Sequence, residues 1–314
     1  MSVNIPDHYT ISFSTNVMLL LQEKGSKLRM CVTEGSYVGK QASPVDQVGS
    51  VEMQDVTNRF APMGRVDAAL DRRWVSPNDF DLPQLIDTFD KLRLLTDPES
   101  SYTQSAVFAA GRKIDRLIIL AFLATAKTGE QGATSTLFGN AVSGKNQVTV
   151  SYGAANSKLT VAKLLNLKQQ MRANSVDFDV EEVYCGLTAA DEASLLNEIQ
   201  IISSDFNGGD RPVLKDGKVQ RFLGINFVYC EMIETVAGKG LGNAPTGGTV
   251  NTNLAEIPVW CKSGMHLGIW NDITTSISRR NDLRSEPWQS YVYATFGATR
   301  LEENKIYNVE SYRA

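Results

Sequence analysis

Residues 139–146, GNAVSGKN, come within one position of a phosphate-cradling loop. The pattern G-x-x-x-x-G-K-[ST] works because backbone amides surround the phosphates, the lysine reaches them and the final hydroxyl holds magnesium. Asn146 stands where that hydroxyl is needed. The flanking pattern also reads helix before and strand after, the reverse of the order such a loop requires. A surface loop is expected, with no nucleotide. Two histidines, His8 and His266, are too few for most imidazole-based metal or acid–base sites, and packing or surface roles are expected for both. There is no G-x-S-x-G nucleophile elbow, and no cysteine has a histidine partner legible in the sequence. The acid pairs Glu181–Glu182 and Glu302–Glu303 are adjacent, so in strands they would point to opposite faces rather than share a substrate. The glycines of residues 238–248 are irregularly spaced, with no helix to follow. These residues predict no catalytic site, no cofactor and no metal.

Charge narrows the partners further. The chain has 314 residues and a formal net charge of −4, which does not supply the basic surface that broad nucleic-acid binding wants. The local pairs Arg72–Arg73 and Arg279–Arg280 are expected to be solvated strand ends or inter-subunit salt bridges. Four cysteines, Cys31, Cys185, Cys230 and Cys261, lie far apart with apolar neighbours, the pattern of buried free thiols in a reducing compartment. The N-terminal stretch MSVNIPDHYT has no basic cluster, and no secretory signal is expected.

The elements that must carry these residues centre on one helix. Residues 102–132, YTQSAVFAAGRKIDRLIILAFLATAKTGEQG, start amphipathic and become almost wholly apolar. A bilayer span needs about 20 apolar residues. The apolar run of residues 117–126 is half that, with Arg112, Lys113, Asp115 and Arg116 just upstream, so no membrane is expected. Ile114, Leu117, Ile118, Ala121, Phe122 and Thr125 form one helical stripe. Ile119, Leu120 and Leu123 lie off it and call for cover on a second side. Asp97–Pro98 suits an N-cap and first turn, with Ser101 or Thr103 as other starts, and Gly129 with Gly132 suits a stop. A helix over residues 102–127 would be about 39 Å long at 1.5 Å per residue.

Around this spine the pattern predicts a short helix at residues 15–24 and a strand at 27–33. SVEMQDVTNRF and VDAALDRRWVSPN read as strands flanking the turn APMGR. Both arms are charged and have little to bury, so this hairpin should project or be held by something else. Its tip carries Arg59, Phe60, Met63 and Arg65, a set suited to docking on another chain. LPQLIDTFDKLRLL predicts a helix with Leu85, Ile86, Phe89 and Leu92 on one face. After the spine come a strand at residues 147–152, a helix capped by Thr160, the strand VEEVYCGLT and a helix opened by Thr188 with Asp191. A hairpin turning at Asp216–Gly217 then feeds a strand across Gly224. EIPVWC, MHLGIW, ITTSISRR, WQSYVYATFGATRL and KIYNVES make the last third β-rich. The fold class is α+β.

The order of parts resembles the major capsid proteins of tailed bacteriophages, the HK97-like fold: N-terminal arm, extended β-hairpin loop, long spine helix, α/β insert, returning strands. Residues 72–121, with Asp97–Pro98 before the helix and the Gly111-Arg112-x-x-Asp115 motif inside it, look like the central stretch of one such family. RFLGINFVYCE is similar to the Gly-containing strand that closes the insert. The resemblance implies an arm at 1–36, an extended loop at 37–83, a peripheral domain at 84–157 and 259–314, and an axial domain at 158–258. It implies a non-enzymatic protein that self-assembles as hexamers and pentamers into an icosahedral shell. Double-stranded phage DNA would be enclosed without sequence-specific binding. A separate scaffolding protein, a portal protein and a decoration protein are the implied partners. The protein would be made in the bacterial host cytoplasm and reside in the virion capsid. An encapsulin-like compartment shell is the alternative within the fold; an enzyme with an unrecognised site is the alternative of another class.

Overall fold

The computed structural model describes residues 23–55, 64–86, 99–138, 146–198, 219–233, 254–284 and 286–312. By internal contacts the chain divides into two units. One comprises Met1–Ser26, Asp79–Lys113 and Asn271–Thr295, the other Lys27–Asn78, Ile114–Trp270 and Phe296–Ala314.

The strands are β1 (Thr33–Ser36), β2 (Ala42–Val48), β3 (Leu70–Val75), β4 (Asn78–Ile86), β5 (Ala126–Thr128), β6 (Thr134–Thr136), β7 (Gln147–Val148), β8 (Val183–Leu187), β9 (Arg221–Phe222), β10 (Ile225–Tyr229), β11 (Leu254–Cys261), β12 (Met265–Arg279), β13 (Trp288–Arg300) and β14 (Ile306–Tyr312). The helices are α1 (Glu99–Leu123), α2 (Val161–Ala173) and α3 (Ala189–Leu196). Three sheets result, ordered β1-β12-β13-β4, β7-β14-β11-β8-β10-β9 and β2-β3-β5-β6. Mixed sheets with helices make the α+β class expected from the sequence.

The core of the larger unit lies between α2 and the six-stranded sheet. Val161, Leu164, Leu167 and Met171 form the buried face of α2, packed with Val183, Cys185, Ile225, Ile257, Val259, Tyr307 and Val309. Thr160 and Thr188 occupy the N-cap positions of α2 and α3 as expected. Thr188, however, gives its hydroxyl to the Asp191 carboxylate at 2.6 Å.

Several expectations need correction. The spine ends at Leu123, and residues 126–128 are a strand, because Gly129 (φ 87°) and Gly132 (φ 70°) serve the β5–β6 turn rather than a helix stop. Its buried face is Ile114, Asp115, Ile118, Ile119, Phe122 and Leu123, rotated by one position from the expected stripe; Leu117 is half-buried and Thr125 exposed. The expected helix at Leu85 and Ile86 begins as β4. Phe80, Leu82 and Gln84 are half-buried while Asp79, Asp81, Pro83 and Leu85 are exposed, a period of two. β4 is an edge strand, where Pro83 is tolerated. Phe89 and Leu92 lie outside the described residues, as do residues 15–22, Asp97–Pro98 and the Asp216–Gly217 turn.

Residues 29–31 form a 3-10 turn, and the expected strand there starts only at Thr33. The strand at 147–152 shrinks to Gln147–Val148. Gly224 is a turn rather than mid-strand: Leu223 (φ 55°) and Gly224 (φ 87°) make the two-residue loop between β9 and β10.

Candidate functional site

The near-miss phosphate loop offers no cradle among the described residues. Residues 139–145 lie outside them, and Asn146 is a buried residue at φ 59°. Its side-chain amide donates to the Glu303 carbonyl at 2.6 Å, and its own carbonyl accepts from the Asn308 amide at 2.9 Å. A structural turn therefore occupies the position of the missing hydroxyl, and the strand β7 follows it.

His266 is a packed histidine. Its Nδ1 lies 3.0 Å from the Thr33 hydroxyl and its Nε2 2.9 Å from the Tyr37 hydroxyl. Burial pulls its pKa down to about 4, against the opposing pull of Glu34. His8 lies outside the described residues. All four cysteines are buried and none is in a disulfide. Burial pushes the Cys31 thiol up to about 11 and Cys261 to about 12, so neither is a ready nucleophile.

The acid pairs separate as expected. Glu181 takes the Ser263 hydroxyl and the Lys305 ammonium, while Glu182 takes the Tyr184 hydroxyl. Glu303 is drawn to Arg300 and Arg73, and Glu302 to Lys305. Among the described residues no group of three His, Cys, Asp or Glu side chains is placed to hold a metal. No described helix is long and apolar enough to cross a membrane.

The hairpin carries the sequence's candidate contact residues. Its paired strands are β2 and β3, with Val48 opposite Leu70, Asp46 opposite Arg72 and an irregularity between Ala42 and Val45. The sequence placed the strands nearer the turn, but residues 51–55 and 64–69 lie outside the strands, and the Gly49 amide donating to the Ala69 carbonyl at 2.6 Å continues the pairing one step past β2 and β3. Arg72 grips Asp46 with two donors, at 2.5 and 3.0 Å. Beyond that pair the hairpin leaves five apolar side chains exposed, Val48, Val51, Met53, Val66 and Leu70, with Met53 fully exposed and Leu70 78% exposed. Of the expected tip set, Arg59, Phe60 and Met63 lie outside the described residues. Arg65 is exposed and pairs with Asp67 at 2.7 Å. The set was missed in the sequence because its members are interleaved with charges.

The hairpin root is fixed. β3 pairs with β5, and the Trp74 indole donates to the Gly129 carbonyl at 2.7 Å. Val75 is buried, and a Cβ at Gly297 would lie 2.3 Å from the Ser76 carbonyl oxygen, so only glycine fits there. Arg300 is fully buried. It donates to the Phe122 carbonyl at 2.9 Å, to the Ala124 carbonyl and to the Thr136 carbonyl at 3.2 Å. Those contacts satisfy the carbonyls at the end of α1 and favour its negative dipole end. Glu303, beside Arg300, is also 3.4 Å from Arg73 of β3. The basic pairs are thus used within the chain, since Arg279 meets Glu286 and Arg280 meets Asp282.

The Gly-Arg-x-x-Asp motif anchors the entering chain. A Cβ at Gly111 would meet the Gly25 backbone at 2.5 Å, and Arg112 donates to the Glu23 carbonyl at 3.1 Å. Asp115, buried, accepts from the Lys27 and Leu28 amides at 2.9 and 3.0 Å.

The family described as phage capsid protein matches residues 5–311. The chain belongs to the phage capsid family. It is a structural, non-enzymatic major capsid protein, and its solved relatives share the fold at low identity. The capsid of cyanophage P-SCSP1u is 15% identical, with a TM-score of 0.71 over 98% of this chain and 94% of that one. The cyanophage Pam1 capsid is 11% identical, with a TM-score of 0.72 over 100% and 99%. The acid-stable capsid of Helicobacter pylori bacteriophage KHP30 is 9% identical, with a TM-score of 0.68 over 99% and 98%. These likenesses make the fold HK97-like. No curated protein matches the chain.

Proposed function

We propose that this capsid protein closes into an icosahedral shell of hexamers and pentamers, in which each hairpin lies on a neighbouring copy. The observation that carries the reading is the set of Val48, Val51, Met53, Val66 and Leu70, exposed on a hairpin whose root is fixed by Trp74, Val75 and Arg73. Fully burying a large aliphatic side chain is worth about 1.5–3 kcal/mol. A set of five therefore favours association once a neighbour covers it. Arg59, Phe60, Met63 and Arg65 are proposed to join the same contact, with the arginines meeting a neighbour's carboxylates through charge-assisted hydrogen bonds.

The division into an arm (1–36), an extended loop (37–83), a peripheral domain (84–157 and 259–314) and an axial domain (158–258) belongs to this reading. So do the enclosed double-stranded DNA, the scaffolding, portal and decoration partners, and synthesis in the bacterial host cytoplasm. The net charge of −4 supports enclosure without adhesion, because a container must release its contents.

Electron microscopy of the purified protein and of particles from the host tests this. The reading expects closed shells, DNA inside them and portal or tail proteins alongside. Closed shells that hold cargo enzymes and no DNA would overturn it, and so would a protein that stays monomeric at every concentration.

A further inference from the structure

The six-stranded sheet holds a group of titratable residues that the hairpin and its root do not use. Glu256 on β11 stands directly opposite Glu310 on β14 in the antiparallel ladder. Like charges in that relation destabilise a sheet. The Glu310 carboxylate is already engaged: it accepts from the Val150 amide at 2.9 Å and from the side-chain amide of Gln147 on β7. Lys163, on α2, does not neutralise the pair by a direct contact. Its buried ammonium donates instead to the backbone carbonyls of Ser157, at 2.8 Å, and Glu310, at 2.7 Å. The remaining charge in the group is Asp191 on α3, which acts on Lys163 and takes the Thr188 hydroxyl. β8 pairs with β11 only from Val259 to Cys261 and brings no charged side chain opposite Glu256. Glu256 therefore has one oxygen, Oε2, buried without a hydrogen-bond partner among the described residues, facing a second carboxylate.

We propose that Glu256, standing opposite the Glu310 carboxylate, is a one-proton site whose occupancy sets how firmly β11 and β14 close the sheet. A carboxyl that is buried, lacks a partner for one oxygen and stands opposite a second carboxylate ionises reluctantly, so Glu256 keeps its proton to higher pH. Burial, and then the Glu310 charge, raise the Glu256 pKa to about 7. An acid whose folded pKa lies above its unfolded value stabilises fully below the unfolded value. That contribution is lost as pH rises through the folded one. Here the window runs from the ordinary glutamate range, 4.5, up to about 7. The site thus makes the sheet tightest in mildly acidic solution and looser above neutrality. Lys163 acts in the opposite sense higher up: burial lowers its pKa to about 8, so the cost of its buried charge fades as pH climbs beyond that.

The test is thermal unfolding of the full chain from about pH 5 to about pH 8, comparing the natural protein with Glu256→Gln, which mimics the protonated acid in shape. The natural protein should lose on the order of 5 °C in Tm across that range. Glu256→Gln should flatten this slope and melt above the natural protein at the alkaline end. A variant that keeps the full slope would overturn the proposal. Infrared spectroscopy of the natural protein supplies a second readout that needs no variant. A protonated-carboxyl stretch should be present near pH 6 and gone by about pH 8.5. Its absence near pH 6 would overturn the site equally.

Discussion

At its root the hairpin carries Val75, 1% exposed, and Arg73, 5% exposed, tied through Glu303 to the arginine that closes the spine helix. A few residues outward, the same two strands hold Val48 and Leu70 as a cross-strand pair in open solvent. The two ends share strand geometry and differ in what covers them. The root is covered by its own chain and contributes to folding. The outer part has no described cover in the single chain, so under the proposed function its apolar side chains are those that a neighbour would cover. Composition does not distinguish the two ends, and burial does.

The sharpest way to break this contrast is to damage the covered side. Phe122 is 1% exposed and its ring lies 4.5 Å from that of Trp260. Phe122→Ala should cost about 3–5 kcal/mol through lost contacts and an unfilled cavity. The expected result is insoluble or protease-sensitive protein, read by solubility and limited proteolysis. A soluble, normally melting monomer that failed only to assemble would assign that face to a neighbour instead.

An effect of comparable size, but more local in its reach, is expected at the arm anchor. Asp115→Ala removes the acceptor for two backbone amides, each a hydrogen bond to a charged group worth about 1.5–3 kcal/mol. Because both amides belong to residues 27–28, the loss should fall first on that segment. Trypsin cleavage at Lys24 and Lys27 should accelerate well before the global melting temperature is reached. Unchanged cleavage rates would show that the arm is held elsewhere.

On the uncovered side the balance reverses. Val48→Ser with Leu70→Ser should change chain stability by less than about 0.5 kcal/mol, since neither side chain is buried in the single chain. Shell yield in sedimentation should nevertheless collapse. A Tm loss of several degrees in the unassembled protein would mean that the outer hairpin folds against its own chain. The smallest effect belongs to Lys145→Ala. Folding, shell formation and ATP binding should be unaffected, because the loop lacks its magnesium-holding hydroxyl; saturable ATP binding abolished by the change would contradict this.

What the sequence revealed follows physical range. Local signals worked: Thr160 and Thr188 marked helix starts, and the apolar runs of the last third became strands. Gly129 and Gly132 were recognised as chain-turning residues, but whether they end a helix or turn a hairpin depends on β3 pairing with β5 from 55 residues away, which no local window holds. Leu85 was assigned to a helix by its spacing with Ile86, Phe89 and Leu92, yet the alternation from Phe80 and the edge position of β4 decided for a strand. The Gly111-Arg112-x-x-Asp115 motif was visible as a motif, whereas its work, gripping residues 23–28, is a long-range contact. The exposed apolar set on the hairpin was hidden because interleaved charges make exposed and buried apolar residues look alike in sequence.

The outer hairpin is proposed to serve assembly and not folding. Replacing residues 60–64 by a short Gly-Ser turn, then measuring melting temperature and imaging particles on the same preparation, tests it most directly. The melting temperature should stay nearly unchanged while closed particles vanish or become fragile. Shells of normal number and stability would contradict the account and leave the tip as a turn.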